Sequence, residues 1–257
     1  MELKKTGAII QARMSSTRLP KKVLMPLIDD ISILDLQVRR LKKCDFIDNI
    51  ILATSRRPED KVLKDHADSL NIEFFTGSES NVLERFFECA SQYELDQIIR
   101  VTADDPFKDP KVIGMAFEIF TEGNFDYVSN TLKPTFPEGI DIEIFSYHSL
   151  SRAYSEASLN SEKEHVTPYI WKNKDSFKIK NFESDIDYSE IRLTVDYEED
   201  LILARKILKN FYPDMFFGFK EIVEYIKSCK IENKIQRNEG YKKSILEEDI
   251  NENKKSR

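Results

Sequence analysis

Two arginines, two lysines and three hydroxyl residues crowd into one short stretch near the N-terminus, Gln11-Ala12-Arg13-Met-Ser15-Ser16-Thr17-Arg18-Leu-Pro-Lys-Lys22. Guanidinium groups present planar forks of donors that match phosphate oxygens, and ammonium groups add compact positive charge. Successive backbone amides around Ser15, Ser16 and Thr17 suit an anion-holding nest. An apolar, strand-like run delivers this loop, so the chemistry it suggests is nucleoside triphosphate binding. A solvated basic turn fits the same residues.

Carboxylates supply the complementary chemistry. Asp104-Asp105-Pro106 closes the run Arg100-Val-Thr-Ala, and Asp196 closes Arg192-Leu-Thr-Val. Acidic groups at the end of an apolar strand are costly unless they bind a cation or face water. An Asp-Pro turn accounts equally for the first, and Asp196 is well placed to cap the helix that follows. Between them, Asp141 and Glu143 alternate within Pro137-Glu-Gly-Ile-Asp-Ile-Glu143 and so share one face of a strand, either solvated or turned to a ligand. Glu164 and His165 lie in Glu162-Lys-Glu-His-Val-Thr-Pro-Tyr169. A lone histidine serves a structural role as readily as a substrate site; His66 and His148 read as structural.

These residues need a frame. Apolar patterning predicts strands over 6–12, 49–54, 72–75 and 97–103, alternating with helices over about 32–44, from Pro58, from an Asn81 cap, and from an Asp109 cap with Pro110 to about Phe120. Such alternation implies βαβ units: an α/β fold of three α/β/α layers with a mostly parallel, Rossmann-like sheet. Ligands in these sheets sit beyond the C-terminal ends of strands, where the basic loop and the Asp104 pair both fall. From about 125 to 190 the rhythm changes: strands at 125–130, 139–145 and 177–182, with helices near 147–157 and 162–173, read as an inserted region. A core strand at 191–195, a helix at 198–210 and another near 218–229 complete one domain over 1–230. Residues 231–257 read as a charged, frayed tail.

Composition narrows the partners. The 257 residues carry 39 Lys+Arg against 46 Asp+Glu, a net charge of −7, which argues against nucleic acid and makes the basic loop a local feature for a small anion. Hydrophobic residues at 40% mark a globular chain with an ample core. Cys44, Cys89 and Cys229 have no metal-ligand spacing and read as buried free thiols. With no signal peptide or membrane-spanning run, the expected location is cytoplasmic. A GxxxxGK[ST] loop, a GxGxxG turn and a GxSxG elbow are all missing from the sequence.

The basic stretch resembles the phosphate loop of the sugar cytidylyltransferases (CMP-Kdo and CMP-sialic acid synthetases), most of all their spore-coat polysaccharide branch, with Lys21 in place of a glycine. Ala103-Asp104-Asp105-Pro106 is similar to that family's acidic motif, Ala-Asp-Cys-Pro in one branch. Val195-Asp196-Tyr-Glu-Glu-Asp-Leu201 is similar to Val-Asp-Thr-Pro-Glu-Asp-Leu, with Tyr197 and Glu198 replacing Thr-Pro. Pro137–Glu143 and Glu164–Tyr169 also match, with Lys163 replacing an arginine. The resemblance spans roughly residues 6–210 and implies a nucleotide-diphospho-sugar transferase type of sheet.

It further implies that Arg13, Arg18 and Lys22 hold CTP phosphates and that Asp104 and Asp196 ligate Mg²⁺. Asp141, Glu143, Glu164 and His165 would meet the sugar acceptor. Nucleobase selection would fall near Gln11 to Arg13 and Ala53 to Arg57, so Gln11, Ala12 and Thr54 join Ser15, Ser16 and Thr17 as expected substrate contacts. A homodimer built through the inserted region is also implied. A glycosyltransferase of the same fold is the alternative, with Asp185-Ile-Asp187 as its metal motif; a non-catalytic nucleotide binder is a third reading.

Overall fold

The structure, a computed structural model, describes residues 4–231 together with Ile245, Leu246 and Asp249. β1 (Thr6–Gln11) runs into the basic loop, which ends in a short helical turn at Lys22–Leu24. An antiparallel pair follows, β2 (Pro26–Ile28) and β3 (Ile31–Ser32), too short to show in the apolar pattern. α1 (Ile33–Leu41) begins at a capping box in which Ser32 accepts from the Asp35 amide and Asp35 accepts from the Ser32 amide. Then come β4 (Asn49–Ser55), a helical turn at Pro58–Lys61, α2 (Val62–Ser69), β5 (Glu73–Gly77), α3 (Val82–Gln92) and β6 (Gln97–Thr102). Asn81 caps α3, and Asp109 with Pro110 opens α4 (Pro110–Gly123), both at the expected residues.

The inserted region contributes β7 (Tyr127–Ser129), β8 (Glu143–Ser146), α5 (Tyr147–Glu156), α6 (Asn160–His165), α7 (Pro168–Lys172) and β9 (Ile179–Asn181). α8 (Glu198–Phe211) and α9 (Phe219–Ser228) close the described domain. The sheet has the order β5-β4-β1-β6-β8-β7-β9, with β8 antiparallel to its neighbours and every other pair parallel. Both faces are covered, which is why β1, β4 and β6 are continuous apolar runs. Ala8, Ile10 and Val101 face one apolar cluster with α1, α4 and α8; Ile9, Ile51 and Ile98 face the other, with α3, α5 and α7.

Three expectations are corrected. The strand expected over 139–145 begins only at Glu143, because Gly139 turns at φ +99°, where a Cβ would lie 2.8 Å from the Thr194 nitrogen. The helix expected over 162–173 breaks into α6 and α7 ahead of Pro168, which cannot continue the backbone ladder. Residues 191–195 are buried apart from partly exposed Arg192, but they form no strand. They make a lone bridge from Arg192 to Glu138 and otherwise hang on the site, with the Val195 amide donating to the Asp104 carbonyl at 2.9 Å.

Cys44 and Cys89 are buried free thiols, while Cys229, just beyond α9, is exposed. No helix among the described residues is long and apolar enough to cross a membrane. Most of the charged tail lies outside the described residues. Within it, Ile245 is fully buried in the α3–α5–α7 cluster, and Asp249 pairs with Lys172 at 2.5 Å.

The α1 cap gives the fold a pH signature. Burial alone would raise the Asp35 carboxyl, but His66, 3.3 Å away, and the Ser32 donors outweigh it and hold it at about 2. A depressed carboxylate contributes stability that is present above its unfolded value and lost as pH falls through the folded one. Asp35→Asn is therefore expected to be less stable than wild type at pH 6 and to lose less between pH 4 and 2. Parallel denaturation curves across that range would remove Asp35 from the acid response.

Candidate active site

The basic loop is pinned at Met14 and arches over Ser15–Pro20. Met14 donates its amide to Asp60 at 2.7 Å and accepts the Lys21 amide at 3.0 Å. Lys21, which stands where the resembled loop has a glycine, lies in the left-handed region at φ 63°, at about 1 kcal/mol of strain. Ser16 accepts from the Leu19 amide; Ser15 and Ser16 are half-buried, and Thr17 is exposed. Arg13 is exposed and makes no hydrogen bond or ion pair among the described residues. Ala12 is buried and donates its amide to Ala53, while Gln11 accepts from Arg100 at 3.5 Å.

At the loop's far end Lys22 turns inward. Its Nζ donates to Asp104 and to Asp196, each at 2.8 Å, so two carboxylates about ninety residues apart converge on one ammonium. Arg18 reaches Asp196 at 2.8 Å while lying over the Tyr197 ring. Arg192 takes the other Asp196 oxygen at 2.6 Å and also holds Glu138 at 2.8 Å. Burial would raise the Asp196 carboxyl, but Lys22, Arg192 and Arg18 outweigh it and keep it below the usual range. Burial would likewise lower Lys22, and the two carboxylates reverse that. Asp196 does not cap α8 with its side chain. Asp200 does the capping, accepting the Asp196 and Tyr197 amides at 2.9 Å each, and this leaves the Asp196 carboxylate for the site.

The second aspartate of the pair turns the other way. Asp105 is buried, accepts from Thr102 at 2.6 Å and pairs with buried Lys108 at 2.9 Å. Lys108 also donates to the Asp141 carbonyl, tying the acidic turn to the 137–141 segment. Glu143 is buried, with its oxygens taken by Arg100, by Tyr127 at 2.6 Å and by Thr167 at 2.6 Å. Asp141 and Glu143 therefore do not form the shared strand face expected of them. Thr54 is fully buried, hydroxyl included, so any contact it makes with a substrate would run through its backbone. Glu164 is exposed and His165 half-buried, ahead of a tight turn in which Thr167 donates to the His165 carbonyl at 2.9 Å.

Asp60, Arg192 and Lys108 escaped the sequence reading. Arg192 carried a signal, four residues before Asp196, whereas Asp60 sits in an ordinary Pro-Glu-Asp-Lys turn. Asp185 and Asp187 lie exposed in the loop after β9, where Asp187 accepts from the Ser189 amide. A hollow lined by Leu41, Cys44, Ile47, Asn71 and Glu73 lies at the N-terminal ends of β4 and β5, the end of the sheet where ligands are not expected. Among the described residues no three His, Cys, Asp or Glu side chains cluster as a closed metal cage. Two convergent carboxylates that leave the other positions to water and phosphate match magnesium in donor type.

The cytidylyltransferase family profile matches residues 7–241. An uncharacterized protein of Methanocaldococcus jannaschii is 36% identical over 229 residues, 88% of this chain and 92% of the relative. The spore coat polysaccharide biosynthesis protein SpsF of Bacillus subtilis is 34% identical over 201 residues, 75% of this chain and 81% of SpsF. A cytidylyltransferase structure from Leptospira borgpetersenii aligns with TM-score 0.85 at 32% identity, covering 91% of this chain and 98% of its own. CMP:2-keto-3-deoxy-manno-octonic acid synthetase complexed with CTP aligns with TM-score 0.64 at 15% identity, over 80% and 99%, a likeness of fold.

Proposed function

Because the chain belongs to the cytidylyltransferase family, we propose that it uses CTP to activate an acidic 2-keto-3-deoxy sugar as its CMP derivative. The observation that carries this reading is the convergence of Asp104 and Asp196 on Lys22, at the end of a loop that also presents Arg13 and Arg18. Basic side chains that now neutralise carboxylates have the reach and charge to transfer to a triphosphate. Arg13, Arg18 and Lys22 hold the β and γ phosphates and stabilise the charge that gathers on pyrophosphate as it leaves. A sugar hydroxyl attacks the α-phosphorus in line and releases its proton to solvent; the new oxygen–phosphorus bond forms as the bond to the bridging oxygen breaks, and that oxygen leaves with pyrophosphate. Asp104 and Asp196 would hold Mg²⁺, which supplies charge neutralisation at the phosphates.

The likeness to SpsF supports surface polysaccharide as the destination of the product, and the reading sets the reaction in the cytoplasm. Thermal stability against CTP, UTP, GTP, ATP and CMP, each with and without Mg²⁺, tests it. A ligand at a hundred times its dissociation constant adds about 2.7 kcal/mol to folding stability. A selective shift with CTP, enlarged by Mg²⁺, is expected. A shift with UTP, GTP or ATP and none with CTP would sink the cytidylyl assignment, and a follow-up shift with UDP or GDP alone would favour a glycosyltransferase.

A further inference from the structure

Asp60 is 1% exposed and lies directly beneath the phosphate loop. One carboxylate oxygen accepts the Met14 amide at 2.7 Å, and the other accepts the Ser55 hydroxyl at 2.5 Å. Ser55 is the last residue of β4, so a single side chain ties the loop after β1 to the end of the adjacent parallel strand. Met14 is thereby engaged at every group: its amide by Asp60, its carbonyl by Lys21 and its side chain by the core. The Ser15–Pro20 arc starts from that fixed point and ends at Lys21. Arg85, 3% exposed on α3, lies close enough to Asp60 to feel its charge. An apolar residue would fill the space more cheaply, because a buried carboxylate sacrifices hydration. What the carboxylate adds is an acceptor for an amide at the root of the anion-binding arc.

We propose that Asp60 is a positioning residue that holds the loop in its triphosphate-binding shape. The proposal rests on the CTP reading and adds a residue outside every motif that suggested it. Loss of Asp60 should be felt at the β and γ phosphates rather than at the base and ribose, so the ratio of CTP to CMP affinity is the diagnostic quantity.

Wild type, Asp60→Leu and Asp60→Asn are titrated calorimetrically with CTP and with CMP at constant Mg²⁺, with circular dichroism as the check on folding. Asp60→Leu is expected to weaken CTP about tenfold or more while CMP changes less than about twofold, the scale of one hydrogen bond to a charged group. Asp60→Asn is expected to keep the wild-type ratio, since its amide oxygen still accepts from Met14 and its NH₂ can donate to Ser55. A folded Asp60→Leu protein with the wild-type ratio overturns the proposal, as does an Asn variant impaired as badly as Leu. Absence of CTP binding in wild type removes the nucleotidyltransferase reading and the proposal with it. Should Asp60→Leu not fold, amide exchange in wild type decides. The Met14 amide is expected to be far more protected than those of Ser15 to Thr17, and equal exchange across the four overturns the pinning.

Discussion

Asp104→Ala is expected to lower turnover by at least about a hundredfold, the scale of losing one preorganised electrostatic contact in an active site. The side chain is 28% exposed and, among the described residues, pairs with Lys22 alone, so the fold should survive the change. Its backbone carbonyl, which receives the Val195 amide, is untouched by the substitution. The loss should therefore appear in pyrophosphate release at saturating CTP and acceptor, with little change in melting temperature. Asp104→Asn, which keeps the shape and removes the charge, should be nearly as impaired. Near-normal turnover in either folded variant removes Asp104 from the mechanism. An equal fall in stability and turnover would instead mark it as a structural group.

Lys22→Met should produce the second large effect, and in more than one observable. Lys22 is the ammonium on which Asp104 and Asp196 meet, and its side chain is only 9% exposed. Without it, CTP affinity should fall at least about tenfold, the scale of a lost hydrogen bond between charged partners. The Asp196 carboxyl, held down partly by Lys22, should take up a proton at higher pH, although Arg18 and Arg192 remain beside it. Activity should then decline at a higher pH on acidification than in wild type. The two carboxylates should also become open to a free divalent cation, because the ammonium that joins them is gone. Mn²⁺ titration followed by electron paramagnetic resonance, without nucleotide, reads this directly. Binding should strengthen in Lys22→Met relative to wild type, and unchanged binding would show that Lys22 does not compete for the metal position.

Local signals explain how much of this was legible. The apolar runs of β1, β4 and β6 report burial on both faces, so they declare a covered parallel sheet before any contact is known. Asn81 and Asp109 mark helix starts through bonds that span two or three residues. Since the alternation of elements sets the topology and the topology sets the ligand end, the basic loop and Asp104 could be assigned to one end of the sheet from sequence. Residues 191–195 show where such reasoning stops. Their apolar composition predicts burial correctly, yet it cannot distinguish a strand from an extended segment hung on the Asp104 carbonyl.

Charged side chains mark the same boundary, because burial and partners are settled at long range. Asp104 and Asp105 are neighbours with the same chemistry, but one meets Lys22 at the site and the other is buried against Lys108. Asp141 and Glu143 look paired in sequence, and packing gives Glu143 to Arg100, Tyr127 and Thr167. Asp60 had no local signal at all, since Met14 and Ser55 reach it only once β1 and β4 lie side by side. The sequence by itself determined the alternating strands and helices of the first half of the chain and the inventory of charge at the ligand end of the sheet. Only the tertiary structure decided which charges meet. A helix start is set by bonds among near neighbours and a buried strand announces itself by its apolar run, whereas an ion pair across 174 positions exists only when the whole sheet has placed its two ends together.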